Sequence, residues 1–140
     1  MILNKKYKPA IDKLFYIVWI PISIIMIVST VLSFFNIGSL ILMLGIDIFI
    51  FYFLFSSISG YVEIREDYLY IKFGFILKKQ IPYKVIREVI KERKIYSTSF
   101  LSLKNALEHI VIKYNKYDDV TVSIKNNDDL IKEIKKRINN

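Results

Sequence analysis

Between Lys13 and Glu63 lie 49 residues that carry a single charge, Asp47. Every other charged side chain of the 140-residue chain falls before or after that block. A soluble core interleaves charge with apolar residues. A block this long without charge points instead to two solvents, lipid for the block and water for the rest. Residues 14–35 form 22 residues without a charge, and residues 39–58 form 20 that only Asp47 interrupts. About 20 mainly apolar residues let a helix cross the hydrocarbon, so each run is long enough. Asn36 to Ser39 between them is too short to leave the interface, which predicts a helical hairpin with both chain ends on one side. A cleaved signal peptide is the competing reading of the first run. It fits poorly, because the run is too long and a second one follows at once.

The flanks give the orientation. Lys5, Lys6, Lys8 and Lys13 precede the first span, and the turn carries no charge. By the positive-inside rule both termini are then cytoplasmic, in a multi-pass protein of the inner membrane. Tyr7, Phe15, Tyr16 and Trp19 resemble an interfacial aromatic belt, and Pro21 predicts a local kink. Asp47 falls near mid-bilayer, about 12 Å down the second helix. An ionised carboxylate there costs about 2.5–3.5 kcal/mol on insertion scales, so it must be protonated, paired or hydrated. Neither span holds a Lys or Arg to pair with it. Ser23 and Thr30 share one face of the first helix and can meet it. Three readings stay open: a contact with a neighbouring helix or second copy, a functional contact with a peptide or ion, and an acid near an interface whose span ends are misplaced.

From Tyr61 the period changes to two. Val62 and Ile64, then Leu69, Ile71 and Phe73, alternate with polar residues, as half-buried strands do. Glu66-Asp67 reads as a turn, and Gly74 supplies positive φ for the next hairpin. Phe75 to Ile81 reads as a third strand stopped by Pro82. Val85 to Ile95 fits either a strand or a helix. Ile110, Ile112 and Tyr114 alternate, as do Val120, Val122 and Ile124, and Asn115 to Asp118 joins them. Asn127 is the expected N-cap of a terminal amphipathic helix, whose stripe is Leu130, Ile131, Ile134 and Ile138. The expected organisation is a basic cytoplasmic N-terminus (1–13), a transmembrane hairpin (14–58) and a cytoplasmic domain (61–140). The fold class is a membrane-anchored α+β protein, with a small antiparallel barrel or sheet closed by the C-terminal helix.

The block from Asn105 to Ile131 resembles the closing part of a bacterial pleckstrin-homology-like domain. In that family a Ser-x-x-Arg-Ile-x-Ile-x-Tyr strand leads to a Ser-Pro-Lys turn before the helix. Here Ala106 stands for the serine, His109 for the arginine and Ile124 for the proline. With its two-span anchor, the whole chain is similar to the group that includes the sublancin immunity protein. The resemblance implies a non-enzymatic module giving self-protection against a bacteriocin, with a bacteriocin peptide or a membrane-protein target as partner.

Catalytic constellations are missing from the sequence. The absence of cysteine excludes disulfides, thiol nucleophiles and Cys-ligated zinc. His109 is the only histidine, expected on a strand as a solvent-facing or partly buried side chain. The four glycines lack the spacings that cradle phosphate, and Asp118-Asp119 and Asp128-Asp129 lack a calcium-loop pattern. No enzyme, cofactor or metal is therefore expected. Residues 61–140 hold 17 Lys and Arg against 11 Asp and Glu. Lys78, Lys79, Lys84 and Arg87 are the candidate contacts with anionic lipid or a partner, set against the plainer reading of solvated strand faces. Nucleic acid is not an expected partner, because no aromatic-basic platform is evident. Two other functions remain in view: an assembly subunit joined through Asp47 and the aromatic run 49–55, with a homo-oligomer as one form, and a regulator that reads lipid charge.

Overall fold

The computed structural model describes residues 4–99 and 101–140. A short strand β1 (Lys5–Tyr7) precedes two long helices, α1 (Lys13–Leu32) and α2 (Ile37–Ser59). Seven further strands follow: β2 (Tyr61–Ile64), β3 (Tyr68–Lys72), β4 (Lys78–Pro82), β5 (Ile86–Arg93), β6 (Leu101–Leu103), β7 (Glu108–Tyr114) and β8 (Asp118–Val122). Helix α3 (Asn127–Ile138) ends the fold.

Asp12 starts α1 by accepting the Leu14 N–H at 2.8 Å, an N-cap that satisfies a free helix donor. The connection between the helices lies earlier than the sequence indicated. Ser33–Phe35 form a single 3-10 turn, and the Asn36 side chain accepts the Ser39 N–H at 3.1 Å. That cap draws Ile37 and Gly38 into the first turn of α2, where the sequence reading had placed the loop. Both helices are long and apolar enough to cross a membrane, and only Phe15 and Met26 among their residues are buried.

The strands form two four-stranded sheets, ordered β1-β2-β3-β4 and β5-β7-β8-β6. All pairings are antiparallel except the parallel β6–β8 pair. Alternate residues point inward, so Val62, Ile64, Leu69, Ile71 and Ile81 of the first sheet meet Ile110, Ile112, Val120 and Val122 of the second in one core. Leu130 and Ile134 of α3 are fully buried in the same core.

Several sequence expectations need correction. The third strand is shorter than Phe75 to Ile81, since pairing with β3 begins only at Lys78 and leaves 75–77 as a loop. Residues 86–93 are a strand, and a bulge between Ile86 and Glu88 explains the earlier ambiguity. The extra residue puts Ile86 and Val89 on one face at helix-like spacing. The α3 cap is Asn126, which accepts the Asp129 N–H at 3.3 Å. Asn127 is instead buried, its Oδ1 accepting the Ile124 N–H.

The residues ahead of α1 pack with the sheets. Beyond the β1–β2 ladder, Ala10 N–H donates to Ser123 O at 3.0 Å and Lys125 N–H donates to Lys8 O at 3.1 Å. Residues 5–10 thus touch both sheets, so the folded body includes a strand the sequence reading assigned to a separate N-terminus.

Candidate functional site

Between the two apolar helices, Thr30 Oγ1 donates to Asp47 Oδ2 at 2.7 Å. Helical side chains lean toward their own N-terminus, and antiparallel helices therefore aim these two at each other. Asp47 Oδ1 is buried without a hydrogen-bond partner among the described residues. Met26 is only 5% exposed on the same helix as Thr30, while Ser23 is half-buried and lies about 10 Å further along the axis. The structure thus brings Asp47 to Thr30 and leaves Ser23 outside the contact.

At the other end of the helices a second constellation joins them to the sheets. Asp12 Oδ2 accepts the Leu107 N–H at 2.8 Å while its Oδ1 caps α1. Asn105 Nδ2 donates to Ser57 O near the end of α2 at 2.7 Å, and Asp12 N–H donates to Asn105 O. Gly60 sits so tightly at the α2–β2 junction that a Cβ there would lie 2.5 Å from Lys72 O. One segment, 103–107, therefore holds the ends of both helices. Sequence reasoning took Ser56 to Gly60 as the short stop that holds the following domain close to the second span, but gave no such role to Asp12, Asn105 or Leu107. Asp12 before an apolar run carries a readable cap signal, but its partner Leu107 is distant in sequence.

Beside this junction lies a groove of about 300 Å³, lined by Lys6, Lys8, Lys125, Ser59, Gly60 and Tyr61 among others. Among the described residues no carboxylate lines it. Lys6 Nζ stands 3.8 Å from the Tyr61 ring centroid, a cation–π contact, and Lys72 approaches the same ring at 5.9 Å. The arrangement offers ammonium groups at the level where α2 ends, which suits an anionic group.

The lysines singled out from sequence do not form one patch. Lys78 and Lys79 begin β4, opposite Lys72 and Ile71, at the end near the helices. Lys79 lies 5.6 Å from the Tyr114 ring. Lys84 sits in the turn beyond the far end of that strand, about 20 Å from Lys78 at strand rise. Arg87 is exposed on β5 beside the bulge. The far end carries a mixed notch of Lys84, Lys136, Arg137, Glu66 and Asp67 around Tyr83. Burial pushes the Tyr83 phenol up to about 12, and its hydroxyl donates to Arg65 O at 2.8 Å. His109 differs from expectation: at 1% exposure it is fully buried, its Nδ1 within 2.9 Å of Leu107 O and its Nε2 3.4 Å from Glu92.

Two small sheets around one core, with a C-terminal helix packed against them, define a binding module of the pleckstrin-homology-like class, here carried behind two long apolar helices. The chain belongs to the bacterial PH domain family, whose model matches residues 60–138. The match runs from the α2–β2 junction to the end of α3, leaving out β1 and both apolar helices. No curated protein and no solved structure matches the chain.

Proposed function

We infer that this protein is a two-span anchor of the cytoplasmic membrane whose PH domain, at residues 61–140 with β1 added, binds an anionic headgroup or a peptide partner at the inner leaflet. Both termini lie in the cytoplasm on this reading, and the biological role is bacteriocin self-immunity. The observation that carries it is the lysine groove at the foot of α2, held at the height where the span ends by the Asp12, Asn105 and Gly60 contacts. The similarity of the whole chain, two-span anchor included, to the immunity group supports the role. An assembly function through Asp47 draws less support, because that carboxylate is turned toward Thr30 of the same hairpin.

Each suitably placed cation contributes about 1 kcal/mol near an anionic leaflet. Replacing Lys6, Lys8 and Lys125 together by Gln should then weaken retention of anionic phospholipid by about 100-fold. Mass spectrometry of lipid carried through detergent purification reads this, and wild-type retention should fall as salt rises. Equal retention by the triple variant would remove the groove from the reading. Protection is tested separately by expressing the full chain in a bacteriocin-sensitive strain, where unchanged killing would dismiss immunity.

A further inference from the structure

Two stretches of the domain leave large apolar side chains in the open on the side of the helices. Phe75, Ile76 and Leu77, between β3 and β4, are 49%, 73% and 58% exposed, and Ile95 and Tyr96, after β5, are 73% and 63% exposed. Each stretch lies against one apolar helix. The Phe75 ring centroid is 5.7 Å from that of Tyr52 on α2. Gly74, at φ +132°, approaches α2 so closely that a Cβ would fall 1.8 Å from Ser56 Oγ. On the other side, Ile95 shares a crevice of about 240 Å³ with Phe15, Val18 and Trp19 of α1. Its carbonyl accepts from Lys104 Nζ at 3.0 Å.

The height of these contacts is what matters. The 23 residues of α2 make about 35 Å of helix, against about 30 Å of hydrocarbon. With the excess shared between its two ends, the inner boundary falls within the last turn, near Ser57. Tyr52 lies about 8 Å further in, and Trp19 is about 9 Å past the start of α1. Side chains packed at those levels are below the headgroups.

We propose that Phe75–Leu77 and Ile95–Tyr96 are embedded among the acyl chains of the inner leaflet, one on each side of the hairpin. The domain is thereby seated in the bilayer and does not merely rest on it. This rests on the reading that the hairpin spans the membrane. The occupant is phospholipid acyl chain, because the exposed loop surface is continuous with the uncovered apolar surface of α2. Charge agrees: Lys72 and Lys78 flank the first loop and Lys94 precedes the second, where ammonium groups can reach phosphates.

The full chain is reconstituted in phospholipid vesicles with Trp19 replaced by Phe, and one tryptophan is introduced at a time. Ile48→Trp reports the span, Ile76→Trp and Ile95→Trp the two loops, and Tyr117→Trp the exposed β7–β8 turn. Lipids brominated near the glycerol end of the chain should quench the two loop tryptophans several-fold more than the Tyr117→Trp signal. Lipids brominated near the methyl end should favour Ile48→Trp. Loop quenching no greater than that of Tyr117→Trp, with Ile48→Trp quenched, overturns the embedding and leaves the span intact. An unquenched Ile48→Trp overturns the span itself, and the embedding with it.

Discussion

Asp47 poses the sharpest question at the scale of single residues, because it is the one carboxylate among the apolar residues of the helices. Its Oδ2 receives one hydroxyl and its Oδ1 none. Interhelical hydrogen bonds in membranes contribute about 0.6 kcal/mol on average and about 1.7 at most. On the proposed membrane-spanning reading, that is less than the cost of carrying a charge at mid-bilayer. The position therefore requires an acceptor for Thr30, which an amide supplies equally well. Asp47→Asn should leave the hairpin as resistant to SDS unfolding as the native chain, while Asp47→Ala should cost about 0.6–1.7 kcal/mol. If Asn proves as damaging as Ala, the negative charge itself is needed, and a cationic or hydrated partner must be sought.

Among the elements, β1 shows how a three-residue strand can matter beyond its length. Tyr7 is buried, its hydroxyl donates to Asp129 Oδ2 at 2.6 Å, and Lys5 pairs with the same oxygen. The Lys5 ammonium foremost, then the Tyr7 hydroxyl, hold the Asp129 carboxyl below its ordinary value of 3.8. A carboxyl depressed in the folded chain contributes stability that is present above the ordinary value and lost as pH falls through the folded one. The attachment of β1 to α3 should therefore be intact at neutral pH and loosen below about pH 4. With no native cysteine, a spin label at Asn4→Cys reports this uniquely, gaining mobility on acidification. Asp129→Asn should raise its mobility already at neutral pH and flatten the pH response. An acid response unchanged in Asp129→Asn would show that another group governs it. The same element marks the limit of what could be read beforehand. Period-two alternation exposed β2, β3, β7 and β8, and the apolar stripe exposed α3, since each repeats its pattern over a full element. Lys5–Tyr7 and Leu101–Leu103 are too short to establish a period, and the bulge beside Ile86 erased the period of β5. Asp12 and Asn105 act through partners far along the chain, which no local pattern encodes.

For the molecule as a whole, the decisive property is that the domain is attached at both helix ends. A single tether would let it drift, whereas Asp12–Leu107, Asn105–Ser57 and the tight Gly60 junction fix its height and tilt. An insert of about eight Gly and Ser residues has a root-mean-square span of about 16 Å. Placed between Ser59 and Gly60, with a second insert between Pro9 and Ala10 and with Asp12→Ala and Asn105→Ala to break the remaining helix-end hydrogen bonds, it would replace two fixed attachments by two slack ones. The groove would also lose its helix-end wall, Ile11, Ile58 and Ser59, so its lysines would no longer be held at the height where α2 ends. If fixed placement is what the function uses, the doubly inserted chain should reach the membrane at native levels by immunoblot. It should nevertheless lose anionic-lipid retention and protection of a sensitive strain together. Native protection by that chain would mean that the anchor serves only to raise local concentration, and the clamp at the helix ends would need another purpose.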